Sequence, residues 1–256
     1  MARILYGSWF STFARKVALA LELKGLGYEH IDALQPDRAP ELKRVNPRAE
    51  VPVLSDDGLV VINSSDILQY LEWRYPDPSL YPQAIPERVA SRALERLADH
   101  RFDPIVVDTS FWQWAERNDS PPAGLAAAGQ ADFDATLARL EAELAARPKP
   151  WPFHSAGVVE CAWFPNLAAA RPLGFRIDAA RVPTVVSWLA AMREHPVFAA
   201  DRKRVAEYLK DRHQRDSSKS ERIYWSGDRI EWFISRGFHD WFVDEIKAGR
   251  SKFTEG

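Results

Sequence analysis

Three short stretches of this chain carry residue types that can hold an anion or expose main-chain hydrogen-bonding groups. Ser11, in Phe10-Ser11-Thr12-Phe13, stands where the apolar run Ile4-Leu5-Tyr6 gives way to a helical pattern, and its hydroxyl is a good N-cap. Asn63 and Ser64 stand in the same relation to a second helical pattern, Ile67, Leu68 and Leu71. A helix start offers free N–H groups at the positive end of the helix dipole; with a Ser hydroxyl it suits a carboxylate or a phosphate. Pro52 falls inside the run Val51 to Leu54 and has no N–H to donate. A proline there implies an edge strand, a bulge or a cis peptide that turns main-chain groups outward. Residues 46–76 therefore offer an outward-facing backbone edge beside an anion-binding helix end.

Other chemistries are excluded by composition. The single cysteine, Cys161, rules out a disulfide framework and a cysteine-based metal cluster. The six histidines are scattered without an H-x-x-x-H pair, so no metal site is expected. A formal charge of −2 argues against nucleic acid or an anionic membrane as the main partner. No apolar run is long enough to span a bilayer, and MARILYGSWF lacks the layout of a secretory signal. The expectation is a soluble, cytoplasmic protein, and at 256 residues with 46% hydrophobic content it has material for one large domain or two ordinary ones.

The elements that must position these residues follow from periodicity. Ile4 to Tyr6 reads as a strand, and Ala14, Val17, Ala18 and Leu21 as the apolar face of a helix closed by Gly25 and Gly27. Tyr28 to Ile31 is a second strand and Pro40 to Val45 a short helix. Val51 to Leu54 and Leu59 to Ile62 flank Ser-Asp-Asp-Gly as a β-hairpin, and a helix runs on to Arg74. The order βαβαββα predicts a thioredoxin-like α/β layer over residues 1–76. Asp77 to Glu87 is a proline-rich linker. An all-α part over 87–210 follows, with helices over Arg88 to Asn118 (bent or interrupted at Pro104), Asp132 to Ala146, Glu160 to Ala170, Pro183 to Met192 and Ala199 to Lys210. Residues 211–222 read as an exposed connector. Residues 223–256 form an extension whose Trp225, Trp232, Phe233, Phe238, Trp241 and Phe242 are too apolar to stay free of the fold.

In this order, Val-Pro-Val-Leu, the Asp-Gly hairpin, the polar-Ser pair opening a helix and the Tyr-Leu-Glu-x-x-Tyr-Pro ending resemble the glutathione site of the glutathione transferase family. The resemblance covers residues 1 to about 76 and implies the thioredoxin-like plus all-helical fold. It further implies that Val51, before a cis Pro52, pairs through its backbone with the cysteinyl part of glutathione, and that Ser64 holds the γ-glutamyl carboxylate. Two residues depart from the pattern. Asn63 stands where the family usually has Glu, Asp or Gln, and Glu50 where a basic residue often grips the glycyl carboxylate.

By the same resemblance, Ser11 is the catalytic hydroxyl that hydrogen-bonds the glutathione sulfur, with Thr12 the nearest substitute; as a residue read alone, Ser11 is equally explained as an N-cap. A thiol with a pKa near about 8.5 is mostly protonated at neutral pH, and lowering it by about two units requires about 2.7 kcal/mol. A hydroxyl donor and a helix N-terminus can together supply that. The implied function is attack of glutathione, as co-substrate, on a small electrophile, in a homodimer. The electrophile pocket is expected from Trp9, Phe10, Phe13, Phe111 and Trp112, although each of these aromatics is also explained as core. Two alternatives accompany it: a glutathione-dependent aryl-ether lyase or isomerase, and a non-catalytic binding protein on the same scaffold. The isomerase signature Ser-Ser-Cys appears here as Ser11-Thr12-Phe13. The aromatic extension is expected to be a strap on the helical part, or else a cap on the pocket or a dimer contact.

Overall fold

Strand β1 (Arg3–Gly7) passes through Ser8–Ser11 into helix α1 (Thr12–Leu23), and β2 (Glu29–Asp32) returns parallel to β1. The computed structural model describes residues 3–114, 119–212 and 223–253. A 3-10 turn at Pro36–Arg38 and helix α2 (Ala39–Val45) lead to β3 (Val53–Asp56) and β4 (Leu59–Ile62), which is followed by α3 (Ser64–Arg74). The sheet order is β2-β1-β3-β4, with β3 antiparallel to both of its neighbours. This is the thioredoxin-like layer expected from the sequence.

The hairpin sits further along the chain than its apolar run suggested. Asp56 pairs with Leu59, leaving Asp57 and Gly58 as the two-residue turn, both at positive φ (50° and 91°). That is a hairpin turn whose twist matches the strands, and Gly58 takes the left-handed position without a Cβ penalty. Ser55 and Asp56 are therefore strand residues. Val51 and Pro52 precede the strand, so the proline removes no ladder hydrogen bond.

The remaining chain is helical up to the extension. Helix α4 (Ile85–Leu97) runs through a π-helical turn (Ala98–Phe102) into α5 (Asp103–Trp114). The sequence suggested one helix through Asn118 with a fault at Pro104. The proline lacks an N–H and crowds the carbonyl four residues back, and the widened turn lies immediately before it; residues 115–118 are outside the described residues. Helix α6 (Leu125–Ala145) begins about two turns before the expected Asp132, because the alanine-rich start carries little apolar periodicity but high helix propensity. Then come α7 (Val158–Ala170), α8 (Pro183–Glu194) and α9 (Pro196–Arg212). Most of the expected connector, 213–222, lies outside the described residues. The extension folds as β5 (Ile223–Trp225), α10 (Gly227–Ser235), α11 (His239–Lys247) and β6 (Ser251–Phe253), with β5 and β6 parallel. Among the described residues no helix is long and apolar enough to cross a membrane.

Helix α1 lies between the sheet and the helical layer, and it is buried on both sides. Val17, Leu19 and Leu21 share one core with Leu54, Ile67 and Leu71 on one side and Trp163, Phe164 and Phe198 on the other. Burial all round forces its cations to find partners. Arg15 Nη2 lies 2.5 Å from Asp201 of α9, and Nη1 donates to the Pro165 carbonyl of α7. Lys16 Nζ lies 2.8 Å from Glu95 and 2.6 Å from Asp99, with Ser65 Oγ at 3.0 Å. Burial opposes the Lys16 charge, but Asp99 and Glu95 outweigh it and raise its pKa above the ordinary value. Lys24, at the end of α1, donates to Glu72, Tyr75 and Pro78 and ties α3 and the linker to the same helix.

Core helix α7 opens with half of a capping box. The Gly157 N–H donates to Glu160 Oε2 at 2.8 Å, and Trp188 Nε1 donates to Oε1 at 3.0 Å. No side chain fits at Gly157, where a Cβ would run into the Leu80 carbonyl oxygen. Cys161 on the same helix is fully buried, and burial pushes its thiol pKa well up, so it is chemically inert.

Two outcomes follow from these buried charges. Lys16→Met leaves Glu95 and Asp99 facing each other without the cation, and should cost about 3–5 kcal/mol in urea denaturation. Burial pushes the Glu160 pKa up to about 7 despite its two N–H donors. The unfolded carboxyl ionises near about 4.3, so between these values the folded state holds the extra proton and stability falls as pH rises. From pH 5 to pH 8 (about 3 units) the wild type should lose about 1–3 kcal/mol more than Glu160→Gln, measured by denaturation at each pH.

Candidate functional site

The strand register brings the three sequence stretches to one edge of the sheet. Tyr6 of β1 pairs with Val53 of β3, so Ser8 to Ser11, leaving β1, start beside Val51 and Pro52, entering β3. Val53 in turn pairs with Ile62, so Asn63 and Ser64, leaving β4, lie on the other flank of Pro52. The Val51–Pro52 peptide is cis. Pro52 and Ser64 are buried, Ser11 and Val51 half-buried, and Asn63 exposed. The result is an edge with the N-termini of α1 and α3 on either side of the Val51–Pro52 backbone, which suits a small ligand with main-chain-like groups and a carboxylate.

The two hydroxyls beside that edge have different occupations. Ser11 Oγ accepts from the Ala14 N–H at 3.2 Å as the N-cap of α1, which leaves its own proton to donate. Thr12 Oγ1 donates to Asp103 Oδ1 at 2.6 Å, where Asn166 Nδ2 also donates at 3.0 Å. Burial raises the Asp103 pKa, opposed by these two hydrogen bonds. With its only proton committed, Thr12 links α1 to α5, and Ser11 is the hydroxyl left to serve a ligand.

Asn63, the departure from the family pattern, has φ 65° and donates through Nδ2 to Asp66 Oδ2 at 3.0 Å. Its amide oxygen stays available to accept, and Asp66 brings to this helix start the negative charge that Asn63 lacks. The second departure is likewise embedded. Glu50 pairs with Arg48, Nε to Oε2 at 2.9 Å, and its Oε1 accepts from the Tyr224 hydroxyl at 2.8 Å. Its carbonyl accepts from the buried Asn46 Nδ2 at 2.9 Å. Asp66, Arg48 and Tyr224 were not marked in the sequence. Asp66 was open to discovery from its position one turn into α3 and Arg48 from its position two residues before Glu50; nothing local marked Tyr224.

The expected aromatic pocket does not assemble from one set of side chains. Phe111 is 4% exposed and belongs to the core; it meets Trp112 edge-on, and Trp112 in turn packs on Trp241 of the extension. These two are cemented under the carboxy-terminal segment, because α5 turns that face toward α10 rather than toward the α1 N-terminus. Trp9 stacks on His30 at 3.9 Å, with the Arg204 guanidinium 4.6 Å from its ring. It is held between β2 and α9, and burial keeps His30 neutral by lowering its pKa to about 4. Phe10 and Phe13 remain half-buried beside Ser11. His100 and Arg101 do not reach the edge: His100 Nδ1 bonds Asp228 at 2.7 Å and Arg101 lies 3.5 Å from Asp132. Among the described residues no group of three His, Cys, Asp or Glu side chains is placed to hold a metal ion.

Comparison with known proteins adds an independent line. A family model for the glutathione S-transferase N-terminal domain matches residues 5–79. A probable maleylacetoacetate isomerase of Caenorhabditis elegans is 36% identical over 104 residues, 40% of this chain and 49% of that protein. The chain spans about half the length of the curated relatives it matches. Among solved structures, a glutathione S-transferase from Rhodospirillum rubrum F11 superposes with a TM-score of 0.67 at 26% identity, over 77% of this chain and 90% of that one. The maleylacetoacetate isomerase of Anaeromyxobacter dehalogenans 2CP-1, with GSH bound in its active site, gives 0.62 at 27% identity, over 78% and 94%.

Substitution separates the two hydroxyls. Thr12→Val leaves Asp103 with one donor and should destabilise by about 1–3 kcal/mol. Ser11→Ala removes only a cap and should cost about 1 kcal/mol. Urea denaturation of the two variants checks the order.

Proposed function

The chain belongs to the glutathione S-transferase family, and from that premise we propose that it binds glutathione at the β1–β3–β4 edge and activates it as a thiolate for attack on a small electrophile. The observation that carries this reading is the convergence of Ser11, the cis Val51–Pro52 peptide and Ser64 at one sheet edge, fixed by the register Tyr6–Val53–Ile62. Val51 pairs with the cysteinyl part of the tripeptide. Ser64 and the α3 N-terminus take the γ-glutamyl carboxylate, and Asn63 with Asp66 take the γ-glutamyl amine. Arg48, already beside Glu50, is the cation nearest to the role of holding the glycyl carboxylate.

The Ser11 hydroxyl donates a hydrogen bond to the sulfur and the α1 N-terminus adds its positive end, so the glutathione thiol gives up its proton to solvent and rests as the thiolate. The thiolate then forms a carbon–sulfur bond to the electrophile while the leaving group departs with the electron pair, or adds across an activated double bond. Phe10 and Phe13 supply apolar surface for the electrophile. The protein acts in the cytoplasm, where its one buried cysteine needs no oxidising conditions. Exposed Trp73 on α3 and Ile85 and Val89, one turn apart on α4, are the apolar surface a homodimer would cover.

A second reading is favoured by the isomerase relatives: the same thiolate adds reversibly to a double bond and is released after rotation. The test is calorimetric titration of glutathione followed by an electrophile panel containing an aryl halide, an aromatic ether, an epoxide and a cis-enone acid. Millimolar or tighter binding and turnover of any member support the reading; no heat at millimolar glutathione leaves only a scaffold role. Ser11→Ala should raise the pKa of the bound thiol toward about 8.5 and lower turnover at neutral pH by about ten- to a hundredfold, with the loss shrinking as pH rises. The ultraviolet absorbance of the thiolate against pH reads the first effect, and initial rates read the second.

A further inference from the structure

The carboxy-terminal extension takes part in a closed circuit of contacts that joins the helical layer to the sheet edge. On the helical side, Arg229 Nε donates to buried Asp108 of α5 at 2.5 Å. Trp232 Nε1 and Arg236 hold Asp132 of α6, and Asp228 holds His100. Trp225 and Phe233 are buried against each other within the main core. On the other side the extension reaches a residue 174 positions earlier, through the Tyr224 hydroxyl on Glu50. The carbonyl of Tyr224 is itself gripped by Arg229 Nη1 at 2.5 Å, so one guanidinium anchors both α5 and the residue that crosses the gap. From Glu50 the circuit continues through Val51 and Pro52 to the sheet edge, to Thr12, and by its hydrogen bond back to Asp103 of α5.

Within that circuit Glu50 is held from three directions. Asn46 donates to its carbonyl, Arg48 spans both carboxylate oxygens, and the Tyr224 hydroxyl donates to Oε1. Its carbonyl belongs to the peptide that leads directly into Val51. A strap that only covered apolar surface would have no reason to place a phenol on this carboxylate; the aromatic cluster around Trp225, Phe233 and Trp241 already buries the extension.

We propose that Tyr224 is a positioning residue for glutathione: by holding Glu50 it fixes the backbone edge at Val51 and orients Arg48, so that docking of the carboxy-terminal extension and binding of the tripeptide stabilise each other. The proposal rests on the reading that glutathione binds this edge. Coupling of this kind is reciprocal: whatever affinity the docked extension adds to glutathione, bound glutathione adds to docking. Tyr224 touches neither the sulfur nor the electrophile, so its effect belongs to tripeptide affinity and not to the chemical step.

A double-mutant cycle on the full-length chain tests this, with glutathione affinity from calorimetry and kcat at saturating glutathione as separate readouts. Tyr224→Phe keeps the ring and its packing but removes the hydroxyl, and should weaken glutathione binding about three- to tenfold with kcat unchanged. Glu50→Ala should weaken it at least as much, and the double variant no further than Glu50→Ala alone, because the partner is already gone. Glutathione should also slow hydrogen exchange in 223–235 in the wild type and less so in Tyr224→Phe. Additive effects, or a Tyr224→Phe variant with wild-type affinity, overturn the proposal while the glutathione site stands. A wild type that fails to bind glutathione overturns the site reading itself, and the proposal with it.

Discussion

Helix α1 carries buried cations that must be neutralised, and meeting that demand orients the rest of the molecule. Arg15, Lys16 and Lys24 leave three sides of a helix enclosed by apolar residues, and each finds its carboxylate on a different part of the chain: Asp201 on α9, Glu95 and Asp99 between α4 and the π turn, Glu72 on α3. A buried charge pair adds little net stability, because desolvation cancels most of the attraction. Its geometric consequence is larger. A charge that is costly to leave unpaired permits only arrangements in which the partner is within reach, so the helical layer meets the sheet in one orientation. The N-terminus of α1, where Ser11 stands, is thereby held.

The same helix explains why two adjacent hydroxyls do different work. Ser11 precedes the first helical residue, where an N-cap accepts a backbone N–H and keeps its proton. Thr12 is already inside the helix and faces α5, where a buried aspartate takes that proton. One position along a helix start separates a group that can serve a ligand from one that fastens two layers. α9 completes the support of the loop: Asp201, Arg204 and Tyr208, on one face, reach Arg15, the ring of Trp9 and Ser8 Oγ. Trp9 is consequently a support for the loop and not a wall of the pocket.

The two departures from the family's usual residues look different once their neighbours are known. Asn63 taken alone lacks a charge, but it is bonded to Asp66. Glu50 taken alone has the wrong charge, but Arg48 spans both of its oxygens and Tyr224 donates to one of them. On the proposed glutathione site each of these two roles is shared between two residues, and the Tyr224 hydroxyl draws the extension into the second of them.

The α/β order, the presence of an Asp-Gly hairpin and the two serine-tipped helix starts were legible in the sequence, whose Pro52 left an edge strand, a bulge and a cis peptide open. Each depends on residues close in the chain, where turn chemistry, capping and periodicity act. The strand limits at Val53, the start of α6 and the π turn before Pro104 were displaced from expectation by one or two turns at most, since propensity blurs at element ends. The fate of the aromatics was not legible. Phe111 and Trp112 have the composition of a pocket wall and the position of a core, and only the rotation of α5 against α10 decides between them. The pairing of Tyr224 with Glu50 lay furthest from reach. A single hydrogen bond across 174 residues leaves no periodicity, and it exists only because the buried Trp225 and the Arg229–Asp108 pair fix where that strand ends. The sequence by itself determined which local structures form and which of them can bind an anion; the tertiary structure decided which side chains share a space, because that depends on how buried charges and core volumes are satisfied across the whole chain.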